Sequence, residues 1–184
     1  MELLTSKREQ NGKNDNKRLR RQRQIPAVVY GQGEAQSISI ALNDFEAFLR
    51  KIPKGELSTA RFSLAVDKEK VEVLVKDVQY AKTSYDILHL DFLKLDKKQL
   101  VTVNVPVRFT GQMACPGLKL GGVLRPVMRT VKIRCLPDQI PSHFEIDVSQ
   151  LSLKQSKRVK DIQFSKDIRV VSKMDEVVGL IGKR

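Results

Sequence analysis

The chain has no tryptophan, two cysteines, two histidines and only 5% aromatic residues among 184. Each scarcity removes a class of function. Cys115 and Cys135 stand alone with no CxxC pair, so they read as buried or idle thiols in a reducing compartment, not as a disulfide or metal site. His89 and His143 have no Cys or His at ligand spacing, which argues against zinc. So few rings leave little from which to build a broad base-stacking platform. No apolar run approaches the roughly 18–20 residues that cross a bilayer. The segment Met1–Arg8 lacks the apolar stretch of a secretory leader. A soluble cytoplasmic protein with no membrane partner is expected.

Acidic charge is also in short supply. Lys+Arg number 34 against 21 Asp+Glu, a formal net charge of +13, while 41% hydrophobic residues suffice for a core. The excess is uneven. Residues 1–94 hold 17 basic and 13 acidic side chains, and residues 95–184 hold 17 and 8. Within the first half, residues 1–25 alone carry eight basic side chains, among them Lys7, Arg8, Lys13, Lys17, Arg18, Arg20, Arg21 and Arg23, against three acidic. Residues 26–94 are left slightly acidic. Such a block reads either as a solvated tail or as a polyanion contact. Two features point to the second. The run Arg18-Leu19-Arg20-Arg21-Gln22-Arg23 favours guanidinium forks, which grip phosphate oxygens bidentately. It also leads straight into the apolar segment Ile25-Pro26-Ala27-Val28-Val29-Tyr30-Gly31, which would order it.

Alternation then predicts strands. Ile38, Ile40 and Leu42 alternate after a turn at Gly31-Gln32-Gly33. Asn43, with Glu46 three residues on, resembles a capping box opening a helix whose apolar face is Phe45, Phe48, Leu49 and Ile52, stopped by Pro53 and Gly55. Arg61–Val66 and Val71–Lys76 form a hairpin about Asp67-Lys68-Glu69-Lys70. Leu88, Leu90 and Phe92 share one face of a further strand, leaving His89 and Asp91 on the other. The first half therefore reads as a small, mostly antiparallel β-barrel with one or two short helices. Lys94, Asp96, Lys97 and Lys98 form a charged joint. Beyond it Val101–Phe109, Thr130–Cys135 and Phe144–Val148 are strands, broken by Gly111, Pro116-Gly117, Gly121-Gly122, Pro126 and the turns at Leu136–Pro141. Asp147–Leu151 ends one element and Lys160-Asp161-Ile162 begins another. The fold class is mainly β, in two domains, 1–94 and 95–184, the second all-β.

No catalyst is legible. His89 and Asp91 share a strand face with Ser84 or Thr83 at a distance, but there is no nucleophile elbow, oxyanion hole or orienting third group. Gly121-Gly122 lacks the lysine and spacing of a phosphate loop. On the residues alone, His89 and Asp91 are either an ordinary exposed strand face or hydrogen-bonding groups for a ligand. No cofactor is expected.

Several segments fall in an order that resembles a known family. Gly12-Lys13, Lys17-Arg18-Leu19-Arg20-Arg21, Ile25–Gly31, Lys76-Asp77-Val78-Gln79 and Leu88-His89-Leu90-Asp91-Phe92 are similar to the bacterial large-subunit ribosomal protein twenty-five, or Ctc general-stress, family. Gly121-Gly122-Val123-Leu124, Cys135-Leu136-Pro137, Ile140-Pro141 and Ile146–Ser149 resemble the second domain of its long form. The resemblance implies a structural protein of the large ribosomal subunit, not an enzyme. It implies an N-terminal barrel on 5S rRNA at the central protuberance, neighbouring ribosomal proteins as further partners, and a monomer when free. The residues it carries over as RNA contacts are Arg8, Lys13, Lys17, Arg18, Arg20, Arg21 and Tyr30, then Gln79, His89 and Asp91. Two positions depart from the family. Asn14 stands where a second loop glycine is usual, and Tyr80-Ala81-Lys82 where Arg-His-Pro is common. The alternative reading is a β-rich, stress-related protein–protein module whose basic segment docks on an acidic partner.

Overall fold

The structure is a computed structural model that describes residues 2–8, 12–31, 34–66, 69–165 and 167–183. The chain forms two compact units, residues 1–99 and 100–184. Of the expected turns, Gln32-Gly33 and Asp67-Lys68 lie outside the described residues.

The first unit is a closed barrel of six strands. They are β1 (Glu2–Lys7), β2 (Gln24–Tyr30), β3 (Gln36–Ala41), β4 (Arg61–Val66), β5 (Glu69–Tyr80) and β6 (Ile87–Lys94), in the order β1-β3-β2-β6-β5-β4. Four seams are antiparallel, whereas β1·β4 and β2·β6 are parallel. Closure removes the free edges that would otherwise template aggregation. Pro26 is accommodated because pairing with β6 begins one residue later, at Ala27↔Leu90, so its missing N–H costs that seam nothing. Alternate residues fill the interior: Ile25, Ala27, Val29, Ile38, Ile40, Leu64, Val73, Leu90 and Phe92 are all buried. Phe62 joins Phe48 and Phe92 there, its ring centroid 4.4 Å from the first and 6.3 Å from the second.

Two helices attach to this barrel, α1 (Lys13–Arg21) and α2 (Leu42–Leu49). In α2 the expected apolar face is present, with Phe45 and Phe48 buried and Leu49 and Ile52 packed beside them. Its start differs from the expectation. The helix begins at Leu42 after Ala41, with no side-chain cap, so Asn43 is inside the first turn. The Leu42 N–H donates instead to the Arg23 carbonyl at 2.9 Å, and a backbone acceptor does the work assigned to asparagine. Residues 13–21, expected only as a basic stretch leading into β2, form helix α1. Gly12 is its N-cap, and Asn14 lies in its first turn rather than in a loop.

Among its described residues the second unit has seven strands, β7 (Val101–Thr110), β8 (Gly122–Pro126), β9 (Thr130–Cys135), β10 (Phe144–Asp147), β11 (Ser156–Arg158), β12 (Arg169–Val170) and β13 (Val177–Lys183), and one short helix, α3 (Pro116–Lys119). They make a four-stranded sheet β10-β7-β9-β12 and a three-stranded sheet β11-β13-β8. Val105, Val131, Ile133 and Ile146 of one sheet share a core with Val178 and Ile181 of the other, the sandwich solution to two half-apolar sheets. Both cysteines are buried in this unit and neither is in a disulfide; Cys115 Sγ donates to the Leu151 carbonyl at 3.1 Å. Two expectations are corrected. Gly122 is not loop but the first residue of β8, paired with Lys183. A Cβ there would meet Gly117 O at 2.6 Å, so glycine marks a close backbone approach. Lys160-Asp161-Ile162 does not begin a strand. Val159–Asp161 is a single 3₁₀ turn, closed by the Arg158 N–H donating to Asp161 Oδ2 at 2.8 Å.

Candidate nucleic-acid interface

Helix α1 buries none of its residues. A nine-residue helix of this composition is marginal in water by itself, so something else must hold it. Arg8, just past β1, supplies the tie. Its Nε donates to the Ile38 carbonyl at 2.8 Å, Nη1 to Asn16 Oδ1 at 2.7 Å, and Nη2 to the Ala27 carbonyl at 3.3 Å. One guanidinium thereby joins β3, β2 and α1. Burial lowers the Arg8 pKa, and arginine still stays charged at neutral pH. At the other end of the helix, Arg20 Nε donates to the Leu88 carbonyl at 3.1 Å and fastens the last turn to β6. The chain then reverses through Arg23, which sits in the left-handed region at φ 56°. Lys13, Lys17, Arg18 and Arg21 remain exposed, with Arg18 3.4 Å from Asp15. Three basic residues in the final turn also suit the negative end of the helix dipole.

Beside β2 the barrel presents a polar strip, built by a local irregularity. In β5, Val75 pairs with Phe92, but the next paired residue is Asp77, opposite Asp91. Lys76 is the extra residue of a β-bulge, and the bulge reverses the in–out phase of the strand. Val73 and Val75 point into the barrel, and after the bulge Val78 does so opposite Leu90. Asp77 and Gln79 are consequently outside, opposite Asp91 and His89. Val28 on β2 lies opposite Asp91, which brings Tyr30 to the same outer surface. The Tyr30 pKa is raised, first by burial and then by the negative charges of Asp91 and Asp77. Its hydroxyl is therefore held as a neutral donor and acceptor well above neutral pH. His89 Nδ1 lies 2.7 Å from Asp91 Oδ1 but without the alignment of a hydrogen bond, and that nitrogen has no such partner.

The ten residues expected at the site thus divide. Tyr30, Gln79, His89 and Asp91 are brought onto one strip, Arg20 is bonded to its β6 strand, and Lys13, Lys17, Arg18 and Arg21 ride on the helix that Arg20 anchors. Arg8 is placed behind them, with three of its five N–H donors used inside the fold. Asp77 and Asn16 belong to the arrangement and were not expected there; a bulge after Val75 and a side-chain tie to Arg8 leave no periodic signal. The catalytic alternative finds no support in the geometry. Ser84 Oγ donates to Asp86 at 2.5 Å, turned to its own loop rather than to His89.

Comparison with known proteins agrees with this division of the chain. Residues 3–92 match the ribosomal L25p family, and residues 100–183 match the ribosomal protein TL5 C-terminal domain. The large ribosomal subunit protein bL25 of Chlamydia pneumoniae is 37% identical over 185 residues, covering all of both chains. That of Chlamydia trachomatis serovar A is also 37% identical, and that of Chlamydia abortus 36%, with the same full coverage. Fold and relatives place the chain among the structural, non-enzymatic proteins of the large ribosomal subunit. It belongs to the ribosomal L25p family, in the two-domain form that carries the TL5-type C-terminal unit.

Proposed function

We propose that the first unit binds 5S rRNA, and so sits at the central protuberance of the large subunit. The observation that carries this reading is the side-by-side placement of a pinned basic helix and a polar strip with its own donors and acceptors. Lys17, Arg18 and Arg21 supply phosphate contacts, which position a protein on RNA without reading sequence. Tyr30, Gln79, His89 and Asp91 supply groups for base edges and 2′-hydroxyls. A wide, shallow RNA minor groove shows both to a folded surface that need not insert deeply. Asp77 and Asp91 would be repelled by phosphate, so they fit acceptance from amino or hydroxyl groups. Arg8 acts by holding α1 in place.

Gel-shift titration against 5S rRNA and an unrelated RNA of equal length, across a salt series, tests the reading. About five neutralised phosphates give a slope of log affinity against log salt of about −3 to −5. Equal affinity for both RNAs removes the 5S assignment. Tight salt-dependent binding to an acidic protein, with none to RNA, would favour the docking-module alternative.

A further inference from the structure

The second unit carries its own basic surface, which the family assignment leaves without a role. In the β10-β7-β9-β12 sheet the residues between the buried positions face outward, and in β9 these are Thr130, Lys132 and Arg134, all exposed. Arg134 is directly opposite Arg169 on β12 and Thr102 on β7, and Lys132 is opposite Asn104. Like charges directly opposite one another destabilise a sheet, so an Arg–Arg pair is an arrangement that folding alone does not favour. Three other cations of this unit lie beside carboxylates. Arg108 faces Glu145 across β7·β10, and Arg158 and Lys160 lie 3.7 and 3.9 Å from Asp175. Among the described residues none of Lys132, Arg134 and Arg169 has an ion pair.

We propose that Lys132, Arg134 and Arg169 on this sheet face bind the phosphate backbone of an RNA, as a contact additional to that of the N-terminal barrel. Lys132 and Arg134 are two residues apart on one strand, about 7 Å, and Arg169 is one strand away, about 5 Å. Three cations at that spacing present a short positive row to a chain of phosphodiesters. Thr102 and Asn104, on the same face, add short polar side chains. One large exposed apolar residue borders the face, Val171, whose N–H donates to the Lys132 carbonyl at 2.9 Å, whereas Met113, Leu120 and Val123 lie off these strands. A single valine among three cations is not the cluster of apolar and aromatic anchors on which protein interface cores are built.

The test uses the full-length chain with Lys17→Ala, Arg18→Ala and Arg21→Ala, so that helix α1 contributes little to non-specific binding. Fluorescence anisotropy follows a labelled RNA duplex with no 5S sequence between 50 and 300 mM salt. Adding Lys132→Ala, Arg134→Ala and Arg169→Ala is expected to flatten the salt slope by about 2–3 and weaken binding at 0.1 M salt about a hundredfold, the effect of losing three phosphate contacts. Gln at both arginine positions keeps the side-chain stems and gives the same direction if alanine loosens the sheet. An unchanged slope and affinity would overturn the proposal. So would poly-glutamate binding that depends on these residues while duplex binding does not, which would assign the face to an acidic protein instead.

Discussion

Replacing Arg8 by alanine separates a residue that builds the interface from one that touches the ligand. The substitution removes hydrogen bonds of 2.8 and 2.7 Å to Ile38 and Asn16 and a longer one of 3.3 Å to Ala27. A hydrogen bond with one charged partner contributes about 1.5–3 kcal/mol net. Partial exposure puts the two short bonds at the lower end of that range, and the long one adds little, so the loss is about 3 kcal/mol. For a unit of this size each kcal/mol moves Tm by about 4–8 °C, which gives a fall of about 12–24 °C. Circular dichroism melts of the full chain read the shift, and amide exchange across residues 13–21 should accelerate more than across β5 and β6. Arg8→Lys is the discriminating variant. Lysine keeps the charge but has no fork to span two strands and a helix, so it should remain far below the parent in Tm. The reasoning is refuted if Arg8→Lys restores RNA affinity and Arg8→Ala melts with the parent, because Arg8 would then be a phosphate contact and nothing more.

Arg18→Ala with Arg20→Ala should weaken 5S rRNA binding and reduce its salt slope by about 0.7–0.9, the one phosphate contact that Arg18 makes. The melt should fall only slightly, because one exposed hydrogen bond and one exposed ion pair contribute about 1 kcal/mol or less each. Tyr30 should ionise above the ordinary phenol value of about 10, followed by near-ultraviolet absorbance. Since the folded state keeps that proton longer than the unfolded chain does, stability is complete below about pH 10 and falls as pH rises toward the folded pKa. Asp91→Asn should bring the Tyr30 transition part of the way back, and an unmoved transition would deny the charge contribution. Gly122→Ala places a methyl against Gly117 O, Leu153 and Ile181 and should lower the stability of the second unit by about 1–3 kcal/mol in denaturant titration. Arg169→Glu exchanges a like-charge pair for an opposite one and should raise stability by up to about 1 kcal/mol; a lower melting point would show that the Arg134–Arg169 pair is not strained.

The strands with unbroken alternation were legible, since Val101–Phe109 and Leu88–Phe92 each carry a period that only a half-buried strand produces. What was hidden depends on partners distant in sequence. Helix α1 has no apolar face, so neither periodicity nor propensity announces KNDNKRLRR as a helix; the Arg8 and Arg20 hydrogen bonds decide it. In β1 the adjacent Leu3 and Leu4 break the period, and only Leu3 is buried while Leu4 is 72% exposed. In β13 two glycines dilute the strand signal, yet Gly179 is there because the Phe109 ring lies where its Cβ would be. Asn43 carries the signature of a cap and is not one, because the turn before β2 brings the Arg23 carbonyl to the Leu42 N–H at the helix start.

The polar strip shows where pattern reading fails in β5. Counting alternate positions onward from Val73 and Val75 assigns Asp77 and Gln79 to the barrel interior, where a buried carboxylate would be costly. The bulge at Lys76 resolves that conflict by shifting the phase once, so that Val78 enters the core and the two polar residues leave it. Bulges cluster at functional surfaces because they re-aim side chains without breaking the sheet. Here the re-aimed side chains meet His89 and Asp91, which reach the outside by plain alternation in β6. The strip therefore exists only where a regular strand lies beside an irregular one, and its position next to α1 is set by Arg20 bonding to that same β6. One inserted residue and two arginines hydrogen-bonded to backbone carbonyls give an ordinary small barrel a surface with a basic zone and a polar hydrogen-bonding zone in fixed relation.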